Sequence, residues 1–287
     1  MSNGVRHMMY ATLFFALMNV CVKALGKIPA VEIVFFRSIL TLILCVLLLL
    51  WKKVPLLGNN KPLLTLRGFL GACALVLYFK LIQAIPLATA TTILFMTPVF
   101  TAMLGTVLVR EPVKWLQWLF FAISFAGVFI IEGFDASVAP FYVLIGILSS
   151  FFSALAYNCI RKLNTGEHPL VIMLYFPLIT LPITGAWSWF DWVTPAGYEW
   201  VLLFGVGIFA QAAQFSMTRA YQISPMAGVD SVRYLGILYS IAFGWFLFGE
   251  RLSLPVLLGI AVTLTGIVLN MRYIRRQMYA DSKQTGN

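Results

Sequence analysis

The chain has 287 residues, of which 61% are apolar and only 10% charged, and its mean hydropathy is +0.92. A water-soluble core needs no such excess, and the apolar runs are long enough to cross a bilayer, so a soluble fold is excluded. The net charge of +10 is then a topology signal with some affinity for anionic headgroups near Arg272–Arg276, not a nucleic-acid surface, since no soluble basic face exists to carry one.

In chain order the apolar segments predict ten spanning helices and an all-α integral membrane fold. The first half holds Val5–Leu25, Val31–Trp51, Leu63–Ala84, Pro86–Val109 and Lys114–Ile131. The second holds Ala139–Lys162, Pro169–Phe190, Tyr198–Tyr221, Pro225–Phe248 and Ser253–Met271. Turn chemistry separates them, as in Gly26-Lys27-Ile28-Pro29 and Thr194-Pro195-Ala196-Gly197. Pro86 and Pro225 open helices, where a missing N–H does no harm. The first segment carries Asn19 and Lys23 and lacks a small-residue cleavage site, so it reads as part of the fold and not as a signal peptide.

Displaced by 139 residues, the chain matches itself without a gap. Asn19 falls on Asn158, Lys23 on Lys162, Gly68 on Gly207, Gln83 on Gln222, Gly105 on Gly244, Glu111 on Glu250 and Gly127 on Gly266. A fixed offset of this kind marks one structural unit present twice. The expected organisation is a five-helix repeat over 1–135, a second over 139–275, and a cytoplasmic tail at 276–287. Five crossings per copy would set the copies upside down relative to each other, the arrangement of many secondary transporters.

Basic residues predict the orientation. With a cytoplasmic N-terminus, that side receives Arg6, Lys52, Lys53, Lys61, Arg67, Arg110, Arg161, Arg219, Arg272 and others, while the opposite face keeps only Lys23, Lys27, Lys80 and Arg251. The expectation is a multi-pass protein of the cell (inner) membrane with both termini cytoplasmic. Cys21, Cys45, Cys73 and Cys159 lie within spans without CxxC spacing and read as small apolar residues. His7 and His168 are too few for a histidine metal site, and GxxxxGK[ST], GxSxG and HExxH are absent. No cofactor, metal or catalytic activity is predicted.

The two five-helix halves, the Glu-Pro of Val109-Arg110-Glu111-Pro112, the segment Phe246-Leu247-Phe248-Gly249-Glu250-Arg251, the glycines Gly127 and Gly266, and Arg37 within Val34-Phe35-Phe36-Arg37-Ser38 resemble the EamA-type branch of the drug/metabolite transporter superfamily. That resemblance implies a central cavity surrounded by helices 1–4 and 6–9, with helices 5 and 10 peripheral and the helix pairs 3–4 and 8–9 acting as gates. Pro98 in helix 4 faces Ile237 in the repeat, a departure that predicts mechanically unequal gates. The apolar outer faces of helices 5 and 10 would allow a homodimer.

Positions alike in both copies are most economically scaffold, and positions that differ in polarity mark an individualised site. By this criterion Glu111 and Glu250, each beside a basic neighbour, read as capping or ion-pairing groups. The asymmetric positions are Arg37 against Phe176, Arg233 against Leu94, Asp230 against Thr91, Gln214 against Leu75 and Gln211 against Ala72. A guanidinium in hydrocarbon costs roughly 2.5–3.5 kcal/mol on insertion scales, so Arg37 and Arg233 should face a partner or a wet cavity. Arg37 lies ~9 Å below the outer membrane surface and Arg233 ~12 Å from the inner one at 1.5 Å per residue, so both could meet one solute.

Asp230 would either neutralise Arg233 or supply a counter-charge. Gln211 and Gln214 would line an aqueous path or bond a neighbouring helix. Asn19, Asn158, Tyr78 and Tyr234 complete the predicted substrate-binding set. The sequence thus points to alternating-access transport of a small polar metabolite, amino-acid-like or an organic anion. A channel and a lipid-directed membrane enzyme are the rival readings.

Overall fold

The computed structural model describes residues 3–108, 114–134, 139–163, 166–223 and 230–284. The first half contributes α1 (Asn3–Ala24), α2 (Ala30–Trp51), α3 (Lys61–Ala84), α4 (Leu87–Leu94), α5 (Thr97–Leu108) and α6 (Trp115–Phe134). The second contributes α7 (Pro140–Leu163), α8 (Pro169–Ser188), α9 (Tyr198–Ile223), a 3-10 turn (Asp230–Tyr234), α10 (Leu235–Phe248) and α11 (Leu254–Gln284). Eight helical stretches are long and apolar enough to cross a membrane, with shorter apolar helices over 115–131 and 232–248, and the described residues contain no strand. In hydrocarbon every backbone polar group must find a partner within the protein, and helices do this locally.

Local chemistry sets the helix ends. The Asn60 side chain accepts the Leu63 N–H at the start of α3, and His168 Nδ1 accepts the Leu170 N–H at the start of α8. At the end of α10, Gly249 takes φ +64°, and this left-handed turn brings the Glu250 N–H back to the Gly244 carbonyl. The last helix runs on to Gln284, well past the expected end at Met271.

The principal helix pairings recur when the two halves are exchanged. α1 lies on α9 as α7 lies on α3; α5 lies on α7 as α10 lies on α1; and α2–α8 and α6–α11 are pairs that map onto themselves. Glycines at matching positions permit the closest approaches. A Cβ on Gly127 would meet the Gly259 carbonyl at 2.6 Å, and one on Gly266 would meet the Phe120 carbonyl at the same 2.6 Å. Likewise Gly68 faces Ile179 and Gly207 faces Leu40. Without a hydrophobic force between helices in lipid, such close contacts supply much of the association energy.

The first-half span breaks at Phe95-Met96, and the second-half span passes from 3-10 turn to α-helix at Tyr234-Leu235, the same register displaced by 139. Both copies therefore leave regular α-helix at one register, by a two-residue turn in the first and a 3-10 segment in the second, although only one has Pro98. Its missing N–H would leave the Leu94 carbonyl unpaired, and the Thr97 hydroxyl donates to that oxygen at 2.6 Å. The two breaks face each other, with the Phe95 and Tyr234 rings 5.4 Å apart.

Candidate functional site

A cavity of about 270 Å³ lies between the halves, bounded by α1, α2, α3, α4, α7, α8, α9 and the turn before α10. Arg37, Arg233, Gln211, Gln214, Asn19 and Tyr78 all contribute to its wall. Tyr78 accepts a hydrogen bond from Asn19 Nδ2 at 3.0 Å, which holds both side chains in the wall. The Asn19 Oδ1 acceptor is buried with no protein partner.

Two residues of the predicted set stand elsewhere. Asn158 is fully buried, and its amide donates to the Thr101 and Ala154 carbonyls, tying α7 to α5 instead of facing the cavity. Tyr234 packs on Phe95 and Met271 outside the wall. The Asp230 side chain lies outside the described residues, as does Glu111.

Arg67 is the residue that the sequence reasoning missed. It was read as a cytoplasmic topology charge, yet it lines the cavity about six residues into α3. Its repeat partner is Val206, so the polarity contrast that singled out Arg37 applies equally to it. Proximity to the start of a span concealed it: a long side chain at that depth reaches inward when a gap one turn further along its own helix admits it. Gly71 makes that gap, because a Cβ there would meet the Phe176 ring at 2.9 Å and lie 3.8 Å from an Arg67 nitrogen.

Arg37 and Arg67 share Phe176. Their guanidinium carbons lie 5.6 Å and 5.2 Å from its ring centroid, and Arg37 is also 5.9 Å from that of Phe79. Arg37 is only 6% exposed, and the Nε and one terminal nitrogen of each arginine are buried without a protein hydrogen-bond partner. Ring faces return roughly 0.5–2 kcal/mol per cation. With both on one ring the two guanidinium carbons are within about 11 Å of each other, so these like charges repel by at least about 1.5 kcal/mol at an effective dielectric of 20. Aromatic stacking alone therefore does not offset repulsion and desolvation together, and charged donors stay unused. The described lining residues include no carboxylate.

The cavity is sealed more heavily at one end. There Lys23 forms an ion pair with Glu250 at 2.6 Å and donates to the Ile85 carbonyl at 2.6 Å. Glu250 also accepts the Leu87 N–H at the start of α4, at 2.8 Å. Gln83 donates to the Leu25 and Ile28 carbonyls, both at 2.9 Å. Behind this polar layer sits the largest apolar cluster, including Val22, Leu25, Ile82, Ile85 and Leu87. Glu250 thus joins the two halves as an ion-pairing group, one of the two roles its sequence position suggests, with Lys23 as its partner. At the other end the lining reaches Met8 and Met217, near a cluster of only Met8, Ala11 and Ala220 among buried residues. Glu32 accepts the Val193 N–H and tethers the loop before α9.

A multi-pass helical membrane protein built from two like halves around a charged internal cavity is the architecture of a solute carrier. The chain belongs to the EamA-like transporter family, whose pattern matches it twice, over residues 3–133 and 140–272. It is 33% identical over 253 residues to the pseudopaline exporter of Pseudomonas aeruginosa, covering 87% of this chain and 89% of that one. It is 24% identical to the S-adenosylmethionine uptake transporter of Rickettsia prowazekii, covering 86% and 85%. A solved crystal structure shares its fold at a TM-score of 0.62 and 18% identity, covering 96% of this chain and 98% of the other. The protein is a membrane transporter, and nothing points to catalysis.

Proposed function

We propose that this transporter carries a small organic metabolite bearing a carboxylate, amino-acid-like or an organic acid, by alternating access between two inverted halves. The single observation behind the substrate class is Arg37, deeply buried in the cavity wall with unused charged donors. A buried cation of this kind within a span is costly unless it meets a partner, and a carboxylate solute is one. The partnerless Asn19 Oδ1 complements an ammonium group, which favours amino-acid-like solutes.

Five spans per copy support inversion, since successive spans reverse direction. The distribution of Lys and Arg supports cytoplasmic termini in the cell membrane. On that orientation the Lys23–Glu250 end is external, and this conformation is closed to the outside. The direction of net transport does not follow from family membership, because one relative is named as an exporter and the other as an uptake system. For this chain the two halves would exchange solute in whichever direction the gradient drives.

The test is counterflow in proteoliposomes, using solutes chosen by comparing the metabolites of expressing and non-expressing cells. Saturable counterflow is expected, with at least a tenfold loss in Arg37→Gln. Undiminished counterflow in Arg37→Gln would remove the arginine from the site and the substrate class with it.

A further inference from the structure

We propose that the seat between Arg37 and Arg67 takes a solute with two carboxylates, one on each guanidinium. For its location this rests on the transport reading above. Its chemistry rests on the second arginine, which that reading does not use.

A guanidinium grips a carboxylate through two parallel N–H···O bonds, and a carboxylate held this way presents both its oxygens to that one arginine. A monocarboxylate seated on Arg37 therefore leaves Arg67 as it stands, buried at its Nε and one terminal nitrogen with no protein partner. Both guanidinium carbons lie against one ring, at 5.6 Å and 5.2 Å from its centroid. They can be no farther apart than these two distances placed end to end, a gap that a short dicarboxylic chain spans. The shared Phe176 ring offers apolar surface to the methylene spacer. Gly71 keeps the wall beside Arg67 clear, since a side chain there would run into the Phe176 ring. No carboxylate among the described lining residues competes for either cation.

The geometry also orders the residues by role. Arg37, held by two aromatic rings and almost wholly buried, anchors one end. Arg67, partly exposed, receives the other end and discriminates two carboxylates from one. Arginine to lysine at position 67 keeps the charge and loses the fork, so it should forfeit most of the discrimination.

The test is thermal protection of the purified protein by succinate, glutarate and adipate, against butyrate, valerate and hexanoate, at constant ionic strength, with inorganic phosphate as a further probe. At least one dicarboxylate is expected to protect at a concentration at least tenfold below its length-matched monocarboxylate. Arg67→Gln and Arg67→Lys should narrow that difference to about twofold or less. The proposal is overturned if no dicarboxylate outperforms its matched monocarboxylate, if phosphate protects best, or if the advantage survives both Arg67 variants. Dicarboxylate protection without counterflow would leave the seat standing and sink the transport reading. Counterflow of a monocarboxylate that ignores Arg67→Gln would do the reverse.

Discussion

Arg37 and Phe176 hold the same position in the two copies, and the fold sets them against each other at the contact between α2 and α8. A residue on a self-related helix pair meets its own counterpart, so a single substitution there makes the site lopsided without disturbing the packing around it. Replacing Phe176 with Leu removes the ring but keeps both arginines. The half-saturation concentration for counterflow should rise roughly two- to tenfold, in line with the worth of a cation–ring contact, and an unchanged value would show that the ring is packing only. Arg37, Gln211 and Gln214 were legible in the sequence because each differs in polarity from its repeat partner. Arg67 differs too, but span-edge arginines usually turn to the headgroups, and only the close passage of α3 by Phe176 shows that this one turns in. Asn158 misled in the opposite way: a polar residue mid-span suggested a site, and its amide instead ties two helices together.

Among the elements, the α6–α11 pair and the end of α10 carry the clearest consequences. Gly127 and Gly266 each face a carbonyl oxygen of the opposite helix, so an added side chain must push backbone aside. Gly127→Val and Gly266→Val should each destabilise by roughly 1–3 kcal/mol, read as a fall of a few degrees in Tm. Gly166→Ala, with nothing within 4 Å of the new Cβ, should leave Tm unchanged. These glycines were visible in the repeat as shared positions, but the helix they press on was not, because offset alone does not say which faces meet.

The ion pair at the end of α10 belongs to the same scale. Glu250→Gln keeps an acceptor for the Leu87 N–H and removes the charge facing Lys23. A shift of about 1.4 kcal/mol changes a two-state population tenfold, less than the usual effect of breaking a partly buried pair. Hydrogen exchange at the end of α1 and the start of α4 should therefore quicken in Glu250→Gln. Unaltered exchange would mean that the apolar cluster around Leu25 and Ile85 alone holds this end shut.

At the scale of the whole molecule, the ten apolar segments and the doubling were readable from hydropathy and from the 139-residue offset. The matching break in the second half was not, because no proline marks it and the discontinuity follows from the shared geometry of the two copies. Two equivalent broken spans facing each other, with one end of the cavity bridged by Lys23 and Glu250, describe one of two conformations that a carrier must visit. The most direct measurement is side-specific labelling of a single cavity cysteine, Ser153→Cys, in a chain whose four native cysteines are replaced, with a membrane-impermeant thiol reagent applied to each face of the membrane. The wild-type gates should admit reagent from the side of the termini and exclude it from the Lys23 side, and Glu250→Gln should open the Lys23 side while slowing labelling from the other. Simultaneous, undiminished labelling from both faces would describe a continuous pore and contradict alternating access.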